Sequence, residues 1–461
     1  MTAAAESTTI RFNPFSAEFR EDPYPIYRRL REHRPVHRTL GMWVLTRHAD
    51  VHGVLRDRRF GVGVIPGQIE RAVARLGRHA ARPHGTNPHD ANPHDANPHD
   101  ANRHDANRHD AGPHETGPHD VGRIGRLAAS SLVFTDDPEH GRLRALVNRV
   151  FTASAVNTLR PRINAVVDRL LSPALELGGM DAVGDFAAPL PIAILGDWMG
   201  LPDDLRDQVG GWTHDIRFLL EPGLLKADDL TRVRDVVDTF VSALGDVVGE
   251  RRASPGEDLI SRLLAARTGS GDRLGDEEIA FVCIMCFVAG LATTTSLIGN
   301  ALLALLSDPA QDALLHRRPE LAPDAVAEAL RYDSPLQLTK RLASGDAELG
   351  GQRVKAGDEL LLCLGAANRD PAVFDRPDSF DIGRAGRGRT GGGHLAFGHG
   401  MHGCLGGPLA QAQAEIALES LYRRAGRIEP AADQGPEPSW QAHSFIIRGL
   451  THLPVALGDV R

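Results

Sequence analysis

Cysteine and positive charge are both in short supply in this chain, and each shortage removes a class of function. The 461 residues hold four cysteines, Cys283, Cys286, Cys363 and Cys404. They are too few and too scattered for a disulfide framework. Acidic residues outnumber basic ones, 60 against 52, for a formal net charge of −8. No general affinity for nucleic acid is implied. The opening residues, Met1 to Ser7, lack a basic stretch followed by an apolar one, so no signal peptide is read. No apolar run reads as approaching the length of a bilayer span. The expectation is a soluble, cytoplasmic protein with neither membrane nor nucleic acid as partner. What the chain does have is 42% hydrophobic residues, enough for a sizeable core.

Two of the cysteines form a C-x-x-C. Cys283 and Cys286 lie inside the apolar run Phe281 to Val288, where buried core thiols are the expected reading rather than a metal or redox pair. Cys404 differs. It ends the stretch Phe397-Gly398-His399-Gly400-Met401-His402-Gly403-Cys404-Leu405-Gly406. Glycines at 398, 400, 403 and 406 are expected to allow positive φ and close approach of the main chain to something flat. The helix-forming run Leu409 to Leu418 follows. Its N-terminal N–H groups and dipole are expected to favour a thiolate at Cys404. A lone thiolate of this kind suits one soft metal position, such as the axial position of a haem iron. Taken alone, glycine spacing also fits a loop before a helix with an incidental cysteine.

The ten residues resemble the haem-binding loop of the cytochromes P450, Phe-Gly-x-Gly-x-His-x-Cys-x-Gly, at every defined position. The resemblance runs from about residue 12 to the C-terminus. It implies a mainly α fold with small β-sheets, a single domain over residues 1–461, and haem b held by the Cys404 thiolate. Phe397, Gly398, His402 and Gly406 would then contact the cofactor.

A long, mostly apolar helix is expected over residues 276–306, central and buried. Its middle reads Ala289-Gly290-Leu291-Ala292-Thr293-Thr294-Thr295. Gly290 leaves room for a flat group, and threonine hydroxyls can bond back to carbonyls one turn earlier and widen the helix. Helix packing is the plainer explanation of the three threonines. The stretch resembles the family's oxygen-activation motif, Ala-Gly-x-(Asp/Glu)-Thr-(Thr/Ser), at Ala289, Gly290, Thr293 and Thr294. It departs from it at the acid, which is Ala292. The resemblance implies catalytic roles for Gly290, Thr293 and Thr294, and the missing acid puts the usual proton supply in doubt.

Pro138 predicts a helix start, placing His140 and Arg144 four apart on one face. By itself such a pair is a solvated basic face. The family's His-x-x-x-Arg helix implies that both meet the haem propionates, together with Arg341 and His402. Glu328 and Arg331, at i,i+3 on a helix over 323–332, match the family's Glu-x-x-Arg. That resemblance implies a buried structural pair with Arg384 as its third member.

Elsewhere, helices are expected at 23–34, 49–56, 156–171, 203–220, 230–250 and 258–266. Strands are expected at 42–46, 348–354 and 359–364. Trp212, Phe218 and Leu219 are candidates to face substrate, and residues 336–339 to line the pocket. Residues 83–120 are different in kind. Histidines recur every fifth residue from His84 to His119 in copies of Asn-Pro-His-Asp-Ala. A period of five fits neither helix nor strand, and a mobile surface insertion is expected. Its imidazoles and carboxylates read either as a transition-metal site or as an expansion that binds metal opportunistically.

The function implied by the resemblance is a monooxygenase hydroxylating or epoxidising an apolar small molecule. Electrons would come from ferredoxin and ferredoxin reductase, since no flavin or iron–sulfur segment is read in the chain. Oxidative coupling, desaturation or peroxide-driven oxidation is the second reading, favoured by Ala292. A non-catalytic haem-binding protein is the third.

Overall fold

A computed structural model describes residues 10–63, 130–217, 220–221, 229–384, 393–431 and 438–460, together with Gly67, Gly125 and Ala128. The histidine repeat at 83–120, Phe218 and Leu219 lie outside the described residues.

The order of helices is α1 (Ala17–Glu21), α2 (Tyr24–His33), α3 (His48–Arg56), α4 (Glu139–Val147), α5 (Ala153–Leu177), α6 (Pro189–Met199), α7 (Asp203–Ile216), α8 (Leu230–Ala253), α9 (Leu259–Ala265), α10 (Asp276–Leu306), α11 (Pro309–Arg317), α12 (Ala322–Tyr332), α13 (Leu364–Ala367) and α14 (Gly407–Arg424). The strands are β1 (Val36–Thr39), β2 (Met42–Leu45), β3 (Phe60–Gly61), β4 (Gly179–Asp181), β5 (Leu338–Ala343), β6 (Ala347–Leu349), β7 (Gln352–Val354), β8 (Glu359–Cys363), β9 (Ala425–Pro430), β10 (Ser439–Trp440), β11 (Leu450–His452) and β12 (Pro454–Val460). The mainly α fold with small sheets is thus as expected.

Helix α10 organises the rest. Its apolar residues point in nearly every direction, so it must be covered all round, and α6, α7, α8, α12 and α14 pack against it. Phe281, Phe287, Leu297 and Ile298 are fully or almost fully buried in that shell. One reading from sequence is corrected here. Asp276–Leu306 is long and apolar enough to cross a membrane, but 67% of its most apolar window is buried inside the protein. Length and composition cannot separate a central core helix from a spanning one; the covering helices do.

The largest sheet has the order β1-β2-β8-β5-β3. The β1–β2 hairpin, unread in sequence apart from β2, joins β8 in parallel, with Trp43 opposite Leu360. β5 runs antiparallel to β8, setting Arg341 opposite Leu360. The stretch 348–354, expected as one strand, is the hairpin β6–β7, because Gly350 and Gly351 both take positive φ (53° and 74°).

Helix α5 runs past Pro173 to Gly178, whose left-handed φ of 74° ends it. Helix α7 stops at Ile216, short of the expected Leu220. Trp212, a substrate-facing candidate, instead packs on Phe240 at 5.0 Å between ring centroids. The buried pair of α12 is as expected. Glu328 and Arg331 are 4% and 2% exposed, and Arg384 Nε lies 3.0 Å from both Glu328 oxygens.

Candidate active site

One cavity among the described residues has a volume of about 1100 Å³. That exceeds the roughly 300–1,000 Å³ usual for one small ligand, so there is room for a cofactor and a substrate together. α10 forms one wall and the 397–406 loop another, with β5, α4 and the 445–447 turn closing the sides.

The loop is built by two backbone devices. Gly398 and Gly400 take left-handed φ of 66° and 71°. A Cβ at Gly400 would come within 2.5 Å of the Leu55 carbonyl oxygen. Gly403 does not share the positive φ expected of it (φ −56°), and neither does Gly406 (φ −81°). Close packing explains Gly403, whose Cβ would lie 3.3 Å from the Gly400 carbonyl oxygen. At Gly406, on the cavity wall, a Cβ would meet nothing within 4 Å. The Cys404 N–H donates to the Phe397 carbonyl at 2.8 Å, closing the loop.

Cys404 lies on the cavity wall, open to the cavity but packed on its other sides by protein, and is unbonded to any other cysteine. Burial in the surrounding protein pushes its thiol pKa up, against the opposing pull of the Gly406 and Gly407 N–H groups and the Arg144 charge. The N–H groups expected from sequence are therefore present, but desolvation outweighs them. Binding of a cation must complete the shift, since a coordinating thiol is deprotonated outright. Cys286 departs from the core reading: it is half-buried and reaches the cavity wall, whereas Cys283 is fully buried.

A basic edge lies on the same cavity, with its charge on the two arginines, since burial lowers the His140 pKa below its ordinary value. His140, Arg144, Arg341 and His402 all contribute to the wall. Arg341 is 7% exposed, and among the described residues it donates to Thr339 Oγ1 (3.2 Å) and the Lys340 carbonyl (2.7 Å), not to a carboxylate. Burial pushes its pKa down to about 10. Burial also lowers the Arg144 pKa, with Cys404 opposing. Two arginines held at a cavity wall with no carboxylate salt bridge among the described residues are the expected lining for an anionic ligand. His140 Nε2 donates to the Met401 carbonyl at 3.0 Å and His402 Nε2 to Asp136 at 3.0 Å. One soft ligand and a cationic edge within a single roomy cavity fit haem.

Gly290, Thr293 and Thr294 also line the cavity. Thr293 Oγ1 bonds back to the Ala289 carbonyl at 2.6 Å. Thr295 instead reaches the Ala187 carbonyl at 3.3 Å and joins helix packing. Ala292 is not on the wall at all. Of residues 336–339, Leu336, Leu338 and Thr339 line the cavity. Gln337 turns away to Tyr24, Asp333 and the Ser334 carbonyl.

Sequence reasoning missed Asp136, Glu221 and Gln413. Glu221 is the one carboxylate on the wall among the described residues, and it accepts from the Phe445 and Ile446 N–H groups. Gln413, on α14, is buried with its Oε1 unpaired. Neither has a local sequence signal.

The family model described as Cytochrome P450 matches residues 319–446. The chain is 36% identical to 6-deoxyerythronolide B hydroxylase of Saccharopolyspora erythraea over 71% of its own length and 78% of that protein's. It is 29% identical to the polyketide biosynthesis cytochrome P450 PksS of Bacillus subtilis over 97% of its length and 99% of that protein's. Among solved structures, CalO2 superposes with a TM-score of 0.80 at 33% identity, covering 97% of this chain and 99% of the other. With a thiolate loop, a cationic edge and a threonine-lined helix around one cavity, the chain belongs to the cytochrome P450 family and is a haem-thiolate monooxygenase.

Proposed function

We propose that this protein hydroxylates or epoxidises an apolar small molecule of specialised metabolism. It would use dioxygen and two electrons delivered by ferredoxin and ferredoxin reductase in the cytoplasm. The observation that carries the reading is the cavity wall above Cys404. Phe281, Val282, Met285, Leu195, Leu297 and Ile446 make it apolar, and Thr293 and Thr294 set hydroxyls into it. The names of relatives support the substrate class, since one is a hydroxylase and another serves polyketide biosynthesis.

Cys404 would hold the iron, and His140, Arg144, Arg341 and His402 would neutralise the propionates. Phe397, Gly398 and Gly406 would face the ring. Haem bound there supplies the oxidising power, drawn from dioxygen and two electrons, that inserts oxygen into a C–H bond or an alkene. The protein's part is to exclude bulk water, orient the substrate and hold protons. Thr293, back-bonded to Ala289, keeps a hydroxyl at a fixed point on the wall. Glu328, Arg331 and Arg384 are structural. Residues 1–461 form one domain in this reading, with 83–120 as an insertion in it.

Ala292 favours a second reading, in which the same oxidant drives coupling, desaturation or a peroxide-dependent reaction that needs less proton delivery. Turnover with labelled dioxygen and the electron donors separates the two. Label in the product supports insertion; consumption of substrate without label overturns it. Before that, a reduced carbon monoxide spectrum without the thiolate signature would remove both readings.

A further inference from the structure

Asp136 stands where three segments meet. Its Oδ2 accepts from the Gly63 N–H at 2.7 Å and the Val62 N–H at 2.9 Å, at the exit of β3. Its Oδ1 lies 3.1 Å from the Val62 nitrogen and 3.0 Å from His402 Nε2, in the cysteine loop. Its own backbone carbonyl accepts the His140 N–H at the start of α4. The approach is close enough that a Cβ at Gly61 would lie 2.3 Å from Oδ2. Burial raises the Asp136 pKa, but the bonds from His402, Gly63 and Val62 outweigh it and hold it to about 2. The Asp136 charge also acts on the buried Arg341.

We infer that Asp136 is a positioning residue for the haem edge: by accepting from Nε2 it fixes the ring of His402 and which nitrogen carries the bonded proton. A carboxylate can only accept, so Nε2 must donate to it. The ring is then held in place on the wall of the cavity that His402 lines. A carboxylate behind a histidine is the usual way a protein sets the tautomer and orientation of a cofactor-facing imidazole. The inference rests on haem occupying the cavity with its propionates at the cationic edge. A wild-type carbon monoxide spectrum without thiolate ligation would sink that premise independently of anything below.

The discriminating variant is Asp136→Asn. Its amide oxygen still accepts from Val62 and Gly63, while its NH₂ can only donate toward Nε2, so the ring keeps that contact only by moving its proton to Nδ1. The backbone clamp is kept and the histidine contact inverted. Haem transfer from the holoprotein to apomyoglobin and the ferric/ferrous midpoint potential are measured in D136N, H402F and the double variant. D136N is expected to release haem about tenfold faster, the lower end of the effect of losing such a supporting contact, with a displaced potential. In the H402F background D136N is expected to change neither quantity further. Wild-type release and potential in D136N would overturn the inference. So would an undiminished D136N effect in the H402F background. A D136N protein that fails to fold would also count against it, because the backbone acceptor is preserved.

Discussion

Replacing Arg331 by lysine keeps the charge and most of the volume, so it isolates what the guanidinium geometry does. All five of its N–H groups are used. Nε and one Nη2 hydrogen go to Glu328, at 2.9 and 2.7 Å. The other Nη2 hydrogen goes to the Ser379 carbonyl at 3.0 Å, and Nη1 to the carbonyls of Asn368 (3.1 Å) and Pro377 (2.8 Å). An ammonium has three donors, so at least two of these five hydrogen bonds are lost, even though Arg384 still reaches both Glu328 oxygens and the Ser379 carbonyl. At about 1–3 kcal/mol for each hydrogen bond lost from the charged group, R331K is expected to cost about 2–6 kcal/mol. In a chain of 461 residues 1 kcal/mol corresponds to about 1 °C of melting temperature, so the loss should read as about 2–6 °C. Thermal melts of R331K beside R423K supply the scale. Arg423 pairs with Glu419 at the surface, where both side chains stay well hydrated and little energy is at stake. If R331K melts within about 1 °C of the parent, or no lower than R423K, the buried pair is not holding α12 to the loop below it.

Three further outcomes follow from the site. Thr293→Ala removes the hydroxyl fixed at 2.6 Å from the Ala289 carbonyl. Product formed per electron pair should fall about tenfold, the equivalent of one positioned hydrogen bond of about 1.4 kcal/mol, with peroxide release rising in step. Unchanged coupling would return this threonine to helix packing. Ala292→Asp restores an ionisable group beside Thr293 and should raise coupling with the haem spectrum intact; equal or lower coupling shows that proton supply does not limit the enzyme. His443 is exposed on one side, and desolvation by the protein on its other side pushes its pKa down to about 4, with Arg217 and His214 adding to the effect. Its folded pKa lies below its ordinary 6.5, so between those values the unfolded chain binds more protons and stability falls as pH falls. Urea midpoints at pH 7 and pH 5 should therefore differ more in the parent than in His443→Gln, and equal differences would remove His443 as the cause.

What could be read in the sequence was what lies close together along it. Cys404, His402 and Phe397 share one loop, and His140 and Arg144 share one helix face. Glu328 and Arg331 are neighbours by helical geometry, and even Arg384 was placed through its motif. What could not be read depends on segments far apart. Asp136 meets Gly63 across 73 residues and His402 across 266, and Glu221 meets Phe445 across 224. No local spacing encodes such meetings. Trp212 and Gln337 sat in the right stretches but turned toward core partners, because a residue's place on an element does not say which neighbour covers it.

The cysteine shows the same division in energetic terms. The N–H groups of the following helix were legible, since they follow from helix geometry. The desolvation that opposes them was not, because it is set by everything else folded around the loop. The two effects have opposite sign at Cys404, and burial is the larger. A thiol in that balance stays largely protonated until a cation takes the proton's place. Haem loading should therefore release close to one proton per chain at neutral pH, countable in a weakly buffered titration. Release near zero would mean that the thiolate is already formed before the metal arrives, and that the backbone cradle outweighs burial after all.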